Sequence, residues 1–434
     1  MHGRADVRRG KHLQLPRTEQ HDFRLQFQDR LEVSDAQVFD RTRRPVENDT
    51  ACSENDTAAD DMLAHTQLPG RAGPDQVVAT SPDCELHMEE LKRSIVSEIL
   101  HAHVRELTLI VTDLFIDKDA ADPQSLPLLP GLSRLLACAR PESTGDWRRW
   151  VMHELAATDC GQIPVAALSH AALSPPEGES ASREHWWLAT PVHLEPDLTC
   201  VRMGARPVEL DDEEWRCIGT EFNRLFGKDG FQLRVTARAV ALLAASAPID
   251  AVTTDPARVL GQNIEPSLPS GAAGALLRRM MTGIQMWLHE HPVNLARARR
   301  GLPAANALWV WGGGQLPALP APVELPRLLG PDLFLQGLWR ILQGEIEAPS
   351  ASLESAVTRG DCMVVALSAL EPARAPAEVL TDMDRDWLAP ALRALRTGRI
   401  ASLALHLNDR LFRASRLDTF RFWRRHRLWR ELAA

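Results

Sequence analysis

The chain has 434 residues, of which 44% are hydrophobic and 25% charged, a balance that is ordinary for a globular protein of two or three domains. Its formal net charge of −9 gives no positive surface for bulk binding of nucleic acid or an acidic membrane. The seven cysteines include no Cys-x-x-Cys pair, and no apolar run approaches the roughly 20 residues of a membrane span. We therefore expect a cytoplasmic protein with no membrane partner, in which bulk binding of nucleic acid is disfavoured.

The first elements are predicted from changes in apolar periodicity. Residues 1–85 are polar and lack a sustained apolar period, which predicts a disordered extension, and a helix should follow from Met88. ELTLIVTDLFI (106–116) predicts a buried strand, and LPLLPGLSRLLACA (126–139) predicts the helix behind it. Two further strands are expected around HWWLATPVHL and LTCVRM.

The middle of the chain has the clearest helix signals. Asp211 is predicted to be an N-cap, with Glu214 completing a capping box and Gly227 ending the helix. FQLRV and AVALLAA follow as predicted strands. The segment ALLRRMMTGIQMWLHEH then places its apolar residues on one helical face and must end before Pro292.

The C-terminal part returns to alternating strands and helices. CMVVALSAL, DRDWLAPALRALRTGR and IASLALHL predict a β-α-β unit with a right-handed crossover. The chain as a whole is predicted to be α/β. We expect four regions: the extension 1–85, an α/β part 86–200, an inserted part 201–320, and a second α/β part 321–434 with a basic end.

A polar pocket is predicted within HEHPVNLARARRGLPAANALWVWGGG, residues 289–314. Asn294 is expected to cap a short helix on which Arg297 and Arg300 share a face, so that two guanidinium groups hold a phosphate or carboxylate. His291 flanks the same entrance, and a strand then ends in three glycines, where a ligand meets no side chain. The predicted ligand-binding residues are His291, Asn294, Arg297, Arg300, Gly312, Gly313 and Gly314.

The alternative carries nearly equal weight: the segment is an ordinary solvated helix and a turn, without a ligand. Arginines on a short helix are usually solvated, and three glycines after a strand usually form a turn. No Gly-Lys-Ser/Thr follows the glycines, so a nucleotide P-loop is excluded. We expect a small-anion pocket. The spacing of the residues alone does not identify a catalytic residue.

Other polar residues give weaker indications. Asp113 at a predicted strand end suits a metal ligand, although an ordinary acidic loop is favoured. His185 and His193 are more often structural than ligating. Trp423 and Trp429 lie among arginines that could bind RNA or a partner protein, but a terminal helix covering the core is favoured. No His-Glu-x-x-His or Gly-x-Ser-x-Gly motif is present.

The segment from TTDPARVLGQNIEPSLPSG to the glycines resembles the core of the archaeal-type cofactor-independent phosphoglycerate mutases. PVHL, MDRDWLAP and the FWRR ending are still more similar to the RpfE-type bacterial regulatory proteins, themselves relatives of those mutases. The likeness spans roughly residue 105 to the end. The matching positions are Asp255-Pro256, Gly261, Pro269, Gly271, His291, Asn294, Arg297, Gly301, Pro303 to Asn306, and Trp311 to Gly314.

The resemblance implies a fold of the alkaline-phosphatase superfamily: a mixed sheet flanked by helices, with an inserted α+β substrate-type subdomain. It also implies two divalent metals held by Asp and His and a serine that takes the phosphoryl group. This sequence departs from that pattern. Ala257 stands where a histidine is expected, Asp113 is not followed by glycine, and His406-Leu407-Asn408-Asp409 replaces an Asp-His pair.

Three functions follow from these observations. The first is a catalytically degenerate, cytoplasmic regulatory protein that binds a small phosphorylated or carboxylated metabolite and needs no cofactor. The second is an active mutase or phosphatase in which Asp113, His193, His406 and Asp409 hold manganese or zinc. The third is a protein-interaction role through the basic C-terminus. Convergence of the four proposed ligands in space distinguishes the second from the first.

Overall fold

The computed structural model describes residues 106–114, 127–173, 184–319, 324–356, 362–371, 374–407, 409–420 and Trp429. The predicted extension 1–85, the helix after Met88, Asn408 and Trp423 lie outside these residues. The strands are β1 (Glu106–Val111), β2 (Arg140–Thr144), β3 (His185–Val192), β4 (Leu194–Pro196), β5 (Val201–Met203), β6 (Phe231–Val235), β7 (Ala241–Ala245), β8 (Ala307–Gly314), β9 (Arg327–Leu329), β10 (Met363–Leu367), β11 (Ser402–Leu407) and β12 (Arg410–Ser415). The α-helices are α1 (Pro130–Cys138), α2 (Trp147–Trp150), α3 (Val165–Leu173), α4 (Asp212–Phe226), α5 (Gly274–His289), α6 (Pro292–Arg299), α7 (Leu333–Ile341), α8 (Leu353–Ala356), α9 (Pro376–Met383) and α10 (Ala389–Thr397).

A six-stranded mixed sheet is formed by strands from both ends of the described chain, in the order β2-β12-β11-β1-β10-β9. β1 runs parallel to β10 on one side and to β11 on the other, and β12 and β2 are antiparallel additions. Central parallel strands are buried on both faces, which is why β1 and β10 read as nearly unbroken apolar runs. The predicted strands and the parallel β-α-β unit at the C-terminal end are confirmed.

A four-stranded antiparallel sheet, β6-β7-β3-β8, is built entirely from residues 185–314. β3 lies between β7 and β8, and the short strands β4 and β5 pair with each other beside it. β3 is the first strand of this sheet in chain order and ends at Val192. The predicted boundary at residue 200 therefore separates β3 from the other strands of its sheet. The other predicted regional boundaries stay predictions.

Helices and sheets alternate in layers, and alternate residues of a strand face different layers. Leu109 packs toward α1, α9 and α10, whereas the next residue, Ile110, packs toward α3 and α7. The α3–α7 layer is shared, since Trp186 of β3 contributes to it while Trp187 faces α4 and α5. The predicted α/β class, with a mixed sheet flanked by helices and an inserted α+β unit, is confirmed. None of the described helices is long and apolar enough to cross a membrane.

The helix α4 forms as its sequence predicts. The Asp211 side chain accepts a hydrogen bond from the Glu214 amide at 2.8 Å, and the Glu214 carboxylate accepts one from the Asp211 amide at 3.0 Å. The α-helix ends at Phe226, and a single 3-10 turn then leads to Gly230, whose φ of 84° reverses the chain. This capping box matters for function because Glu214 also holds the predicted pocket arginines.

Candidate functional site

The predicted short helix is α6, and its N-cap is His291 rather than Asn294. The Val293 amide donates to Nδ1 of the buried His291 ring at 3.2 Å. Burial lowers the pKa of His291, against the opposing effect of Glu221, so the ring is neutral and its Nδ1 can accept. The predicted capping role of Asn294 is therefore wrong.

Asn294 instead joins two segments inside the protein. Its side-chain amide donates to the Leu288 carbonyl at 2.7 Å and to the Ala305 carbonyl at 3.0 Å, and its oxygen accepts from the Ala305 amide at 2.9 Å. These bonds fix the end of α5 to the approach of β8. The Asn294 side chain is buried and has three of its hydrogen bonds within the protein, so its role is structural.

Arg297 is also held within the protein. Its side chain is only 4% exposed, its Nη1 lies 2.6 Å from Glu214, and its Nε donates to the Pro303 carbonyl at 2.8 Å. Because Glu214 already completes the capping box of α4, this ion pair joins α6 to α4. A buried ion pair satisfied in this way leaves little capacity for an external anion.

Arg300 differs from Arg297 because it reaches solvent. Its side chain is 54% exposed and lies 3.3 Å from Glu214 and 3.8 Å from Asp211. Both arginines line a cleft of about 920 Å³ on the four-stranded unit, which we call the arginine cleft. Its charged lining residues are Arg206, Arg238, Arg297, Arg300, Glu195, Glu209, Asp211 and Glu214, with His193 beside them.

The structure places the predicted ligand-binding residues at different locations. Arg297 and Arg300 line the arginine cleft, whereas His291, Asn294 and the three glycines are not among its lining residues. Sequence reasoning missed Arg206 and Arg238, which reach the cleft from the segment after β5 and from the β6–β7 turn. No spacing rule connects those turns with α6, so the sequence carried no signal for them.

The three glycines allow close packing within the protein. A Cβ at Gly313 would lie 2.2 Å from the buried Trp187 ring, and one at Gly312 would lie 2.9 Å from Val165. Gly314 faces Pro164 in the same way, with a Cβ distance of 2.9 Å. The space in front of these glycines is therefore already filled, and the interpretation that a ligand approaches there loses its physical basis.

Asp113 lies just past the carboxyl end of β1, as predicted. Its carboxylate accepts hydrogen bonds from the Ser368 hydroxyl at 2.5 Å and from the Ala369 amide at 2.6 Å. Burial raises the pKa of Asp113, with a smaller contribution from Asp255 and opposition from these hydrogen bonds. The carboxylate thus fastens the β10 end to the β1 end.

The four residues of the alternative metal site have separate partners. The His193 ring Nδ1 lies 2.8 Å from the Ala304 carbonyl, the His406 ring packs at a tilt against Trp150 with centroids 4.4 Å apart, and Asp409 pairs with an arginine. Within the described residues, no three His, Cys, Asp or Glu side chains are arranged to hold a metal ion. Among the residues that the structure describes, the donor set therefore does not fit the two-metal site implied by the resemblance.

Asp255, at one position that the resemblance links to the mutases, has an arginine partner. Arg148 Nη2 donates to its carboxylate at 2.8 Å, and the two side chains are only 7% and 9% exposed. Burial by itself lowers the pKa of Arg148, but Asp255, Asp146 and Asp332 together raise it. The arginine guanidinium also lies over the Trp147 ring, 4.6 Å from its centroid.

Asp409, in the turn between β11 and β12, has a second arginine partner. Arg258 forms a bidentate pair with its carboxylate, with Nη2 2.6 Å from Oδ1, and lies 3.5 Å from Asp146. Sequence reasoning missed both arginines. Nothing in the local sequence distinguishes the buried Arg148 from its neighbour Arg149, which is exposed and donates to the Cys160 carbonyl.

A smaller cavity of about 380 Å³ lies between the two sheets, which we call the inter-sheet cavity. It is lined by residues of both sheets and by the segments that follow them, including Asp113, Arg148, Thr190, Trp311 and Ser368. Most of the remaining wall is apolar. The charged side chains of this cavity, Asp113, Arg148 and Asp332, each have a hydrogen-bond partner within the protein.

Comparison with known proteins gives partial matches. No family model matches the chain. Over 112 residues the chain is 36% identical to a 2,3-bisphosphoglycerate-independent phosphoglycerate mutase of Methanothrix thermoacetophila, covering 24% of this chain and 28% of the relative. Over 72 residues it is 36% identical to the corresponding mutase of Methanosarcina mazei, covering 17% and 18%. The chain matches less than a third of the length of either relative.

Two solved structures are also similar. A cofactor-independent phosphoglycerate mutase from Thermoplasma acidophilum has 18% identity and a TM-score of 0.35, covering 71% of this chain and 89% of the other. A protein from Pyrococcus horikoshii has 15% identity and a TM-score of 0.38, covering 72% and 87%. The sequence matches and the resemblance stated above thus point to the same group of mutases, over a segment of the chain.

Proposed function

We propose that this protein is a catalytically degenerate, phosphoglycerate-mutase-like regulatory protein that binds a small phosphorylated or carboxylated metabolite in the arginine cleft. The observation that carries the proposal is that Asp113 and Asp409, the two carboxylates of the alternative metal set, already have partners within the protein, as does the matched position Asp255. Asp113 bonds Ser368 and Ala369, while Asp255 and Asp409 are paired with arginines. The cytoplasmic location and the regulatory role are parts of the same proposal.

The arginine cleft supports the binding half of the proposal. Arg300 is half exposed at its wall, and Arg206 and Arg238 are exposed there too. Exposed guanidinium groups can turn toward a phosphate or carboxylate and bind it bidentately. Arg297 contributes by holding α6 against α4, which fixes the wall from which Arg300 projects.

Trp429 is a described residue of the basic C-terminal segment, which the partner-protein alternative would use. Trp429 is buried, and its indole Nε1 donates to the Pro127 carbonyl at 3.1 Å. At Trp429, the one described residue after Phe420, the chain packs on the core of the six-stranded side.

Calorimetric titration of the full chain with 3-phosphoglycerate tests the binding proposal. We expect binding that does not depend on manganese and that weakens roughly tenfold or more in Arg300→Ala, because one charge-assisted hydrogen bond is lost. Arg299→Ala is the matched control, since Arg299 is the exposed last residue of α6, directly before Arg300, and donates to the Leu295 carbonyl. Arg297→Ala is unsuitable because it leaves the Glu214 carboxylate buried without its closest partner.

Three results would contradict the proposal. Equal affinity of Arg300→Ala and the native chain would remove the arginine cleft as the site. The absence of heat with 3-phosphoglycerate, glycerate and inorganic phosphate would remove the anion. Manganese-dependent interconversion of the phosphoglycerates would establish an active enzyme instead.

A further inference from the structure

We infer that Arg148 and Arg258 are built-in cations, which replace divalent metal ions at the junction between the six-stranded and four-stranded sheets. The inference deepens the proposed loss of the metal site and rests on that part of the proposed function. It concerns what stands in place of the metal, and its test measures stability and metal response rather than ligand binding or turnover.

The two ion pairs cross the junction in opposite directions. Arg148 follows β2 of the six-stranded sheet and pairs with Asp255, which follows β7 of the four-stranded sheet. Arg258 lies three residues beyond Asp255 and pairs back with Asp409, in the β11–β12 turn of the six-stranded sheet. Each sheet thus supplies one guanidinium group and also one carboxylate that pairs with the guanidinium group from the other sheet.

Asp146 connects the pairs into one network. Its carboxylate accepts a hydrogen bond from the Arg148 backbone amide at 2.8 Å and lies 3.5 Å from the Arg258 guanidinium. Asp146, Asp255 and Asp409 are therefore gathered around two fixed positive charges. Carboxylates brought this close repel one another unless cations lie between them, and either metal ions or guanidinium groups can supply that charge.

The burial of the network separates it from ordinary surface ion pairs. The Arg148 and Asp255 side chains are 7% and 9% exposed, and those of Arg258 and Asp409 are 25% and 32% exposed. Exposed ion pairs contribute little to the stability of a protein, whereas a buried charge that loses its partner is strongly destabilising. An arginine is covalently attached, so a junction built in this way keeps its positive charge when divalent metal is scarce.

Thermal unfolding of the full chain with manganese, calcium or EDTA tests the inference. We expect the melting temperature of the native chain to be the same in all three conditions. Arg258→Ala should lower it by several degrees, and manganese should restore part of that loss in this variant alone. The double variant Arg258→Ala/Asp409→Asn should show no response to manganese, because a carboxylate that could hold the ion is gone.

Two further variants keep the experiment decisive. Arg393→Ala is the matched control, because its ion pair with Glu354 is exposed on both sides, 58% and 64%. Arg258→Gln replaces Arg258→Ala if the alanine variant does not fold. A melting temperature of the native chain that changes with manganese or EDTA would overturn the inference. So would a destabilised Arg258 variant that manganese does not stabilise, since the arginine would then be an ordinary ion pair.

Discussion

Among the histidines that the structure describes, His406 has the environment that most disfavours the charged form of the ring. It lies on β11, is 3% exposed, and packs against Trp150. Burial, with a smaller contribution from the charge of Arg413, lowers the pKa of His406 to about 4. The folded protein therefore holds this ring neutral at pH values where the unfolded chain already protonates it.

This difference predicts a loss of stability in acid. As the pH falls from 6.5 toward about 4, the unfolded state binds a proton that the folded state does not, so unfolding becomes easier. The free energy of unfolding should fall by about 3 kcal/mol over this interval on account of His406. His406→Phe keeps an aromatic ring beside Trp150 and should remove that part of the pH dependence in urea unfolding measured at several pH values.

His153→Gln provides the control for this prediction. The His153 side chain is 69% exposed, so replacing it should leave the acid dependence of unfolding unchanged. If His406→Phe and the native chain lose stability equally between neutral pH and pH 4, the neutral His406 ring does not account for the acid-dependent loss of the free energy of unfolding.

At the scale of single elements, the end of β8 shows how a strand is shaped by its neighbours. Gly312 has a φ of 66°, its amide donates to the Thr253 hydroxyl at 3.1 Å, and Gly313 lies against Trp187 of β3. The pairing of β3 with β8 shifts register between Trp186 and Leu188, at the same level. The glycines thus let β8 pass the tryptophan ring at a distance that no other residue permits.

Gly313→Ala should therefore destabilise the protein. The added methyl would lie 2.2 Å from a fully buried ring, so β3 or β8 must move, at a cost of about 1–3 kcal/mol or more. Gly161→Ala is a control, because no heavy atom lies within 4 Å of a Cβ built there. Chemical denaturation of both variants checks the prediction, and equal stability of Gly313→Ala and the native chain would show that the ring moves freely.

The sequence predicts what local patterns determine. The buried strands β1 and β10, the capping box of Asp211 and Glu214, and the end of α5 before Pro292 all follow from short-range periodicity and capping. The shared face of Arg297 and Arg300 likewise follows from helical spacing, although the arginine cleft that both line is formed by other parts of the chain. These features need no knowledge of the rest of the chain.

The sequence does not predict pairs made across the chain. Arg148 meets Asp255 over a separation of 107 residues, and Arg258 meets Asp409 over 151. An arginine looks the same in sequence whether it faces solvent, a metabolite or a buried carboxylate, because only tertiary packing decides its partner. The internal roles of Asn294 and the glycines were missed for the same reason.

At the scale of the whole molecule, the layers depend on chain segments far apart in sequence. Trp429 joins the hydrophobic cluster that lies between the six-stranded sheet and α1, α9 and α10. Its side chain is 1% exposed and bonded to the Pro127 carbonyl. Trp429 thus contributes directly to the core of the six-stranded side.

Trp429→Ala should destabilise the protein by about 3–5 kcal/mol, because a fully buried indole leaves a large cavity. Leu417→Ala is the control, since Leu417 is 78% exposed and its removal opens no cavity. Denaturant unfolding followed by circular dichroism measures both variants. A loss below about 1 kcal/mol for Trp429→Ala would mean that the core does not depend on this residue.

The order in which strands leave the ribosome has a consequence for synthesis. The four-stranded sheet can complete its pairing as soon as residue 314 has emerged, because its strands all lie between residues 185 and 314. β1 is the first of the described strands to be made, but its described partners are β10 and β11, and Thr112 meets Leu367 over a separation of 255 residues. During most of translation β1 therefore has two open edges, which favours association with other chains. Nascent chains truncated between residues 314 and 363 should aggregate through β1 while their inserted sheet is already protected from proteases.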